Sequence, residues 1–430
     1  MHTRITALFG IDKPLICPGM SYIAVPELVA AVGNAGGLGI LASGPLTPEQ
    51  TRAAIRRVRE LSDKPFGVGV TLLMPGAAEN ARVALEEKVP VINFSLGKGD
   101  WIVEQAHRYG GRVIATVTTE KHARAAERIG ADALLVTGHE AAAHGGAVTS
   151  LTLIPAIRDA VKLPIIAAGG FADGRGLLAA LALGADAVAM GTRLAATRES
   201  PVHANTKGMI VGKAVNETIY SSKFDGIPCR IMDTPTARKR SRRSLTLVEA
   251  VPRAMAAARR AGLPLGRVLA GVFARPAAVK QLAQFGAATE AIRLAIEDGD
   301  HARGVQLIGQ SQGLVRDLPS VQELFERVLI EAGRVRAGLP GRSRCAAAEV
   351  HGGRMGLGWS DFSPTCGRRP GCGRPPAGNL AAAMAPPSKT PRDAGRFVFG
   401  TGAPQAPVPV VQAKRPATTS QSTSFQNASR

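Results

Sequence analysis

Aromatic residues are scarce in this chain, at 4% of 430 positions, while glycine alone occurs 49 times. An interior short of large rings packs by close approach of small side chains, as helices do on a parallel sheet. Cysteine is also sparse. Cys17, Cys229, Cys345, Cys366 and Cys372 are odd in number, and no two form a C-x-x-C pair. This argues against a disulfide framework and predicts thiols in a reducing, cytoplasmic setting. No run of about 18 apolar residues escapes a charge or a turn signal, so no membrane-spanning helix is expected. The opening "MHTRITALFGIDKP" lacks the apolar stretch of a secretory signal.

Acidic residues are few, 33 against 53 basic ones, for a net charge of +20. The excess is concentrated: residues 337–430 hold twelve Lys/Arg against three Asp/Glu, and residues 229–260 hold nine against two. The rest of the chain is nearly balanced. The 229–260 piece holds no aromatic and the tail only five, too sparse for a base-stacking platform, so no specific nucleic-acid partner is expected, and "TARKRSRRS" (Thr236–Ser244) reads as solvated charge.

What the chain does have is a rhythm. Eight short, continuously apolar runs, at 14–18, 37–42, 66–73, 90–95, 112–117, 132–136, 164–168 and 186–190, alternate with helical patterns. Runs that do not alternate apolar with polar suit strands buried on both faces. Repeated strand–helix units of this number predict a (β/α)8 TIM barrel rather than an open doubly wound sheet. Thr47 before Pro48 and Ser320 three residues before Glu323 mark helix starts. The expected domains are a barrel over 1–200, a mostly helical insertion over 201–300 with a strand-like piece near "ETIYSS", and a helix over 301–337 returning to the barrel. A disordered tail rich in Pro, Gly and Ala is expected over 338–430.

The chemistry lies where the strands end. After run 7 comes "AAGGFADGRG" and after run 8 "AMGTR". Gly169 and Gly170, with Gly191 and Thr192, expose backbone N–H groups there, which suits a phosphate; tight turns alone are the plainer explanation. After run 6 comes "VTGHEAAAHGG", where small neighbours leave the His144 imidazole room to face a ligand and take a proton. On position alone His144 and His139 also suit structural roles, and Glu140 suits ordering of the loop through backbone N–H groups. No metal site is expected: His139 and His144 stand five apart and lie on different faces of a helix.

The pieces "ICPGMSYIAVPELVAAVGNAGGLGIL", "FGVGVTLL", "GHEAAAHGG", "AAGGFADGRGLLAALALGADAVAMGTR" and "GQSQGLVRDLPS" resemble the nitronate monooxygenase family. The resemblance implies an FMN-binding barrel with a capping domain that oxidises alkyl nitronates, and neutral nitroalkanes, with O2. By it, His144 is the base that abstracts the α-proton. Gly169, Gly170, Gly191 and Thr192 bind the FMN phosphate, Gly138 contacts the flavin, and Met20 and Thr71 lie near the isoalloxazine. Gly69, Thr137 and Ala142 also fall on the flavin pocket, but there the chain departs from the family. Many members have asparagine at the first, glutamine at the second, and glycines at the positions of Ala142 and Ala143. Thr116 replaces a lysine of some members. These departures bear on the substrate.

Flavin enoyl-acyl-carrier-protein reductases, which use NAD(P)H, are similar in the same loops and are the alternative. Barrels of the IMP dehydrogenase type share the glycine rhythm but place a catalytic cysteine after strand 6, and no cysteine lies between Cys17 and Cys229. The oligomeric state is left open.

Overall fold

Eight parallel strands close into a ring: β1 (Leu15–Cys17), β2 (Leu38–Ala42), β3 (Phe66–Thr71), β4 (Val91–Ser95), β5 (Arg112–Val117), β6 (Ala133–Thr137), β7 (Ile165–Ala168) and β8 (Ala187–Ala189). Ile16 of β1 lies opposite Leu38 of β2 on one side and Ala189 of β8 on the other, which closes the barrel. The predicted fold is therefore present, and each apolar run marks one strand, β6 extending one residue past its run to Thr137. The computed structural model describes residues 1–339 except 75, 143, 245, 247, 250, 251 and 253–275. Ala143, the predicted disordered tail beyond 339 and Cys345, Cys366 and Cys372 lie outside the described residues.

Side-chain alternation divides the strands into two layers. One set of positions packs outward against the helices. The other points into the barrel, where Ile16, Leu38, Ile40, Val91, Ile114, Leu135 and Ile166 fill the interior. A helix before the first strand, α1 (Arg4–Phe9), adds Ile5 and Phe9 to the same cluster. Nearer the carboxyl ends, the inward positions change character. They become Gly69, Ala168 and Ala189, with the polar Asn93, Thr116 and Thr137 between them. Branched residues thus plug the lower barrel, and small ones clear a floor above it.

The helices between strands follow their sequence signals. Thr47 caps α3 (Pro48–Leu61), the helix after α2 (Pro26–Asn34), in a reciprocal capping box with Gln50. Then come α4 (Ala77–Glu86), α5 (Asp100–His107), α6 (Glu120–Arg128), α7 (Ser150–Ala160), α8 (Gly174–Ala182) and α9 (Gly191–Ala195).

After α9, α10 (Ala204–Gly212) leads to an antiparallel hairpin of β9 (Thr218–Ser221) and β10 (Cys229–Met232). The strand-like piece near "ETIYSS" is β9; its partner has only four residues and is wholly buried, so it shows no alternation to read. Next are α11 (Pro235–Arg240) and α12 (Pro276–Ile296). The basic stretch at α11 is partly neutralised, by Arg238 on Asp233 and Arg243 on Glu249. The last helix, α13 (Val321–Gly338), starts with the Ser320–Glu323 capping box. It lies so close on α8 that a Cβ at Gly174 would stand 2.4 Å from the Val328 carbonyl oxygen. Among the described residues, no helix is long and apolar enough to cross a membrane.

Candidate active site

The cleared floor opens into a cavity of about 780 Å³ at the carboxyl ends of the strands. That volume is within the range of small-molecule and cofactor sites, about 300–1,000 Å³. Its wall includes Met20, Gly69, Thr71, Thr137, Ala142, His144, Gly169, Gly170, Gly191 and Thr192. Gly138 is not on that wall. It sits behind the β6 loop, where a Cβ would meet the Ser150 hydroxyl at 2.1 Å, so glycine is needed there for packing. From the insertion, α12 closes the cavity with Phe285, Thr289, Ile292 and Ile296.

Two turns offer unspent backbone donors. Gly169 and Gly170 follow β7 with φ of 104° and 87°, a conformation that favours glycine. Gly191 and Thr192 open α9 after β8. Among the described residues, no protein acceptor meets the N–H of any of these four. Four such N–H groups converging on one rim, three half-buried and one buried, suit an anion. The Thr192 hydroxyl accepts from the Gly309 N–H at 3.0 Å, which fixes its oxygen and leaves its O–H, like its backbone N–H, able to donate.

The β6 loop is held from three sides. The Glu140 carboxylate accepts from the Ser150 N–H at 3.0 Å, at the start of α7, and from the Ser150 hydroxyl. Glu140 therefore orders the loop, as its place in the sequence suggests. The Gln310 N–H donates to the Glu140 carbonyl oxygen at 2.9 Å. The hairpin supplies the third hold. The buried Arg230 guanidinium donates to the His139 carbonyl oxygen at 3.0 and 3.2 Å, and its backbone N–H donates to the Ala142 carbonyl oxygen at 2.8 Å. Burial pushes this guanidinium below its usual pKa, against the pull of Glu140 and Tyr220. The Tyr220 hydroxyl donates to the Gly145 carbonyl oxygen. His139 packs its ring 4.4 Å from that of Tyr220 and meets the Gly146 carbonyl oxygen through Nδ1, so its role is structural.

His144 stands differently. Its ring lines the cavity, 6.5 Å from Phe285, and its Nε2 lies 2.9 Å from Oδ2 of Asp225. Asp225 is 3% exposed and sits in the turn between β9 and β10, 81 residues along the chain. It was not among the residues singled out from sequence, because an Asp before a Gly in "KFDGIP" reads as an ordinary turn. Asn93 was also missed, although a lone amide in "VPVINFSL" is a visible signal: its side chain donates to the Thr116 hydroxyl at 2.9 Å on the cavity floor. Among the described residues, no group of three His, Cys, Asp or Glu side chains is arranged to hold a metal.

A barrel with free amides after its last two strands and an imidazole on the loop after its sixth has the layout of a cofactor-dependent barrel enzyme. The sequence pattern of the nitronate monooxygenase family matches residues 2–86 and 76–331, and the chain belongs to that family; it is a flavin-dependent oxidoreductase. A (3aS,4S,5R,7aS)-5-hydroxy-7a-methyl-1-oxo-octahydro-1H-indene-4-carboxyl-CoA dehydrogenase of Rhodococcus jostii is 34% identical over 338 residues, covering 77% of this chain and 96% of its own. A nitronate monooxygenase of Pseudomonas aeruginosa is 33% identical over 278 residues, 54% of this chain and 79% of its own. Among solved structures, FabK from Thermotoga maritima is similar at a TM-score of 0.67 and 35% identity over 80% of this chain and 99% of that one. A nitroalkane oxidase from Streptomyces ansochromogenes reaches 0.62 and 27% over 77% of this chain and 99% of its own.

Proposed function

We propose that the chain binds FMN and oxidises alkyl nitronates and nitroalkanes with O2, His144 taking the α-proton of the neutral substrates. The observation that carries this reading is one cavity rimmed by four free N–H groups and faced by His144. Gly169, Gly170, Gly191 and Thr192 hold the phosphate through their backbones. Gly69, Ala168 and Ala189 leave the floor low enough for a flat ring, which Met20 and Thr71 flank. Held by these residues, FMN would supply the two-electron acceptor that the oxidation needs, with O2 as the final oxidant. The chain's own task is to bind, orient and deprotonate. Phe285, Ile292 and Ile296 cover the cavity with apolar surface, which excludes water and favours a substrate with an apolar body. Buried, unpaired thiols at Cys17 and Cys229 suit a reducing cytoplasm; burial pushes the Cys17 thiol up to about 12.

Two measurements test this. The purified protein shows a flavin spectrum and releases FMN on denaturation; a protein that stays colourless when refolded with excess FMN refutes the cofactor assignment. Gly170→Val keeps the fold but retains FMN about tenfold less tightly, because a side chain at positive φ costs about 1–2 kcal/mol and turns the amide away. Equilibrium titration of the apoprotein with FMN reads this change, and unaltered affinity removes Gly170 from the cradle.

A second reading is oxidoreduction of an acyl thioester. It is favoured by the extent of similarity: two relatives named as carboxyl-CoA dehydrogenases align over 96% of their length. Anaerobic mixing separates the cases. Bleaching of the flavin by an alkyl nitronate supports the first. Bleaching only by NAD(P)H or by an acyl-CoA supports thioester chemistry instead.

A further inference from the structure

We propose that Asp225, delivered by the turn of the β9–β10 hairpin, is a positioning residue that fixes the His144 tautomer and thereby assigns Nδ1 as the proton-accepting atom. The inference rests on His144 being the base, as argued above. A carboxylate has only acceptors to offer, so across the 2.9 Å contact it is Nε2 that carries hydrogen and donates. A neutral imidazole protonated on Nε2 leaves its lone pair on Nδ1, and among the described residues Nδ1 has no hydrogen-bond partner. The proton leaving the substrate carbon then bonds to Nδ1. The resulting imidazolium stands beside a carboxylate that is 3% exposed, where its charge is poorly screened by water.

Asp225 is itself held in place. Its other oxygen, Oδ1, accepts from the Ile227 N–H at 3.0 Å. Cys229, at the start of β10, lies close enough that the carboxylate adds to burial in keeping its thiol protonated. On the loop side, the nearby ionisable groups are Glu140, engaged with Ser150, His139, tilted against Tyr220, and Arg230, committed to the His139 carbonyl oxygen. Above the ring, α12 presents Phe285, which is uncharged. Among the described residues, the only carboxylate in contact with the His144 ring comes from the insertion, so seating of the hairpin orients the barrel's histidine.

Nitrogen-15 NMR of histidine-labelled holoprotein tests the claim without any substrate. The His144 signals are assigned by their loss in His144→Gln. The expected result is a neutral ring with the proton on Nε2, a preference that Asp225→Ala abolishes. A proton on Nδ1 in the wild type, or an unchanged Nε2 preference in Asp225→Ala, overturns the proposal even where the nitroalkane reading stands. In kinetics, Asp225→Asn lowers kcat for neutral carbon acids roughly 10- to 100-fold, a part of what a general base supplies, with KM and FMN content little changed. Its pH–rate profile loses or shifts the limb that reports the base, and Asp225→Glu restores part of both. Should Asp225→Asn fail to fold, the wild-type tautomer decides the matter alone. Should the nitroalkane reading fail, kinetics fall silent but the tautomer still decides for or against Asp225.

Discussion

Replacing His144 with alanine lowers kcat/KM for a neutral nitroalkane by roughly 10²–10⁴-fold, the ordinary contribution of a positioned general base. Oxidation of the preformed nitronate is little changed. The asymmetry follows from the chemistry: a nitronate is already an anion and has no proton to lose, so only the neutral substrate needs the imidazole. Steady-state kinetics on both forms of one substrate make the comparison. Equal losses on the two overturn the base assignment and leave His144 a binding residue. The same variant is expected to retain the proposed FMN, since the N–H groups proposed to hold its phosphate, after β7 and β8, are on other loops.

That histidine was legible in sequence, and its partner was not. The strands were readable because burial on both faces removes polar residues from the run, as in "LPIIAAGG" around β7. The rim glycines were readable because positive φ at Gly169 and Gly170 leaves few other choices. Spacing along the chain also placed His144 at the mouth, since each strand end in a barrel opens on the same face. Local pattern carries no information about what crosses from elsewhere. Asp225 reaches His144 over 81 residues, and Arg230 reaches the His139 carbonyl over 91. Both residues look like turn or surface chemistry where they stand in sequence. Burial alone gives them meaning, and burial is a property of the assembled hairpin. Gly138 carries a demand its motif does not show: a Cβ there would meet the Ser150 hydroxyl at 2.1 Å.

Arg230→Ala is expected to have the larger structural effect of any single change at the site. The side chain is 4% exposed, donates twice to the His139 carbonyl oxygen and once to the Thr218 hydroxyl, and lies 5.4 Å over the Tyr220 ring. Truncation leaves the carbonyl without its donors, opens a void and removes a cation from an aromatic face, at a cost of about 3–5 kcal/mol in total. The loss falls on the hairpin–loop junction, so it reaches the chemistry too. With the β6 loop freed, His144 no longer meets Asp225 in one geometry, and kcat for neutral substrates falls as well as thermal stability. Arg230→Lys does not restore either property, because a compact ammonium cannot reproduce the forked contact to one carbonyl. Thermal unfolding of the holoprotein and kcat on a nitroalkane, measured side by side, read both effects. A variant with wild-type melting and wild-type turnover shows that the hairpin does not brace the loop, and the insertion is then a cover over the cavity with no part in aligning its base.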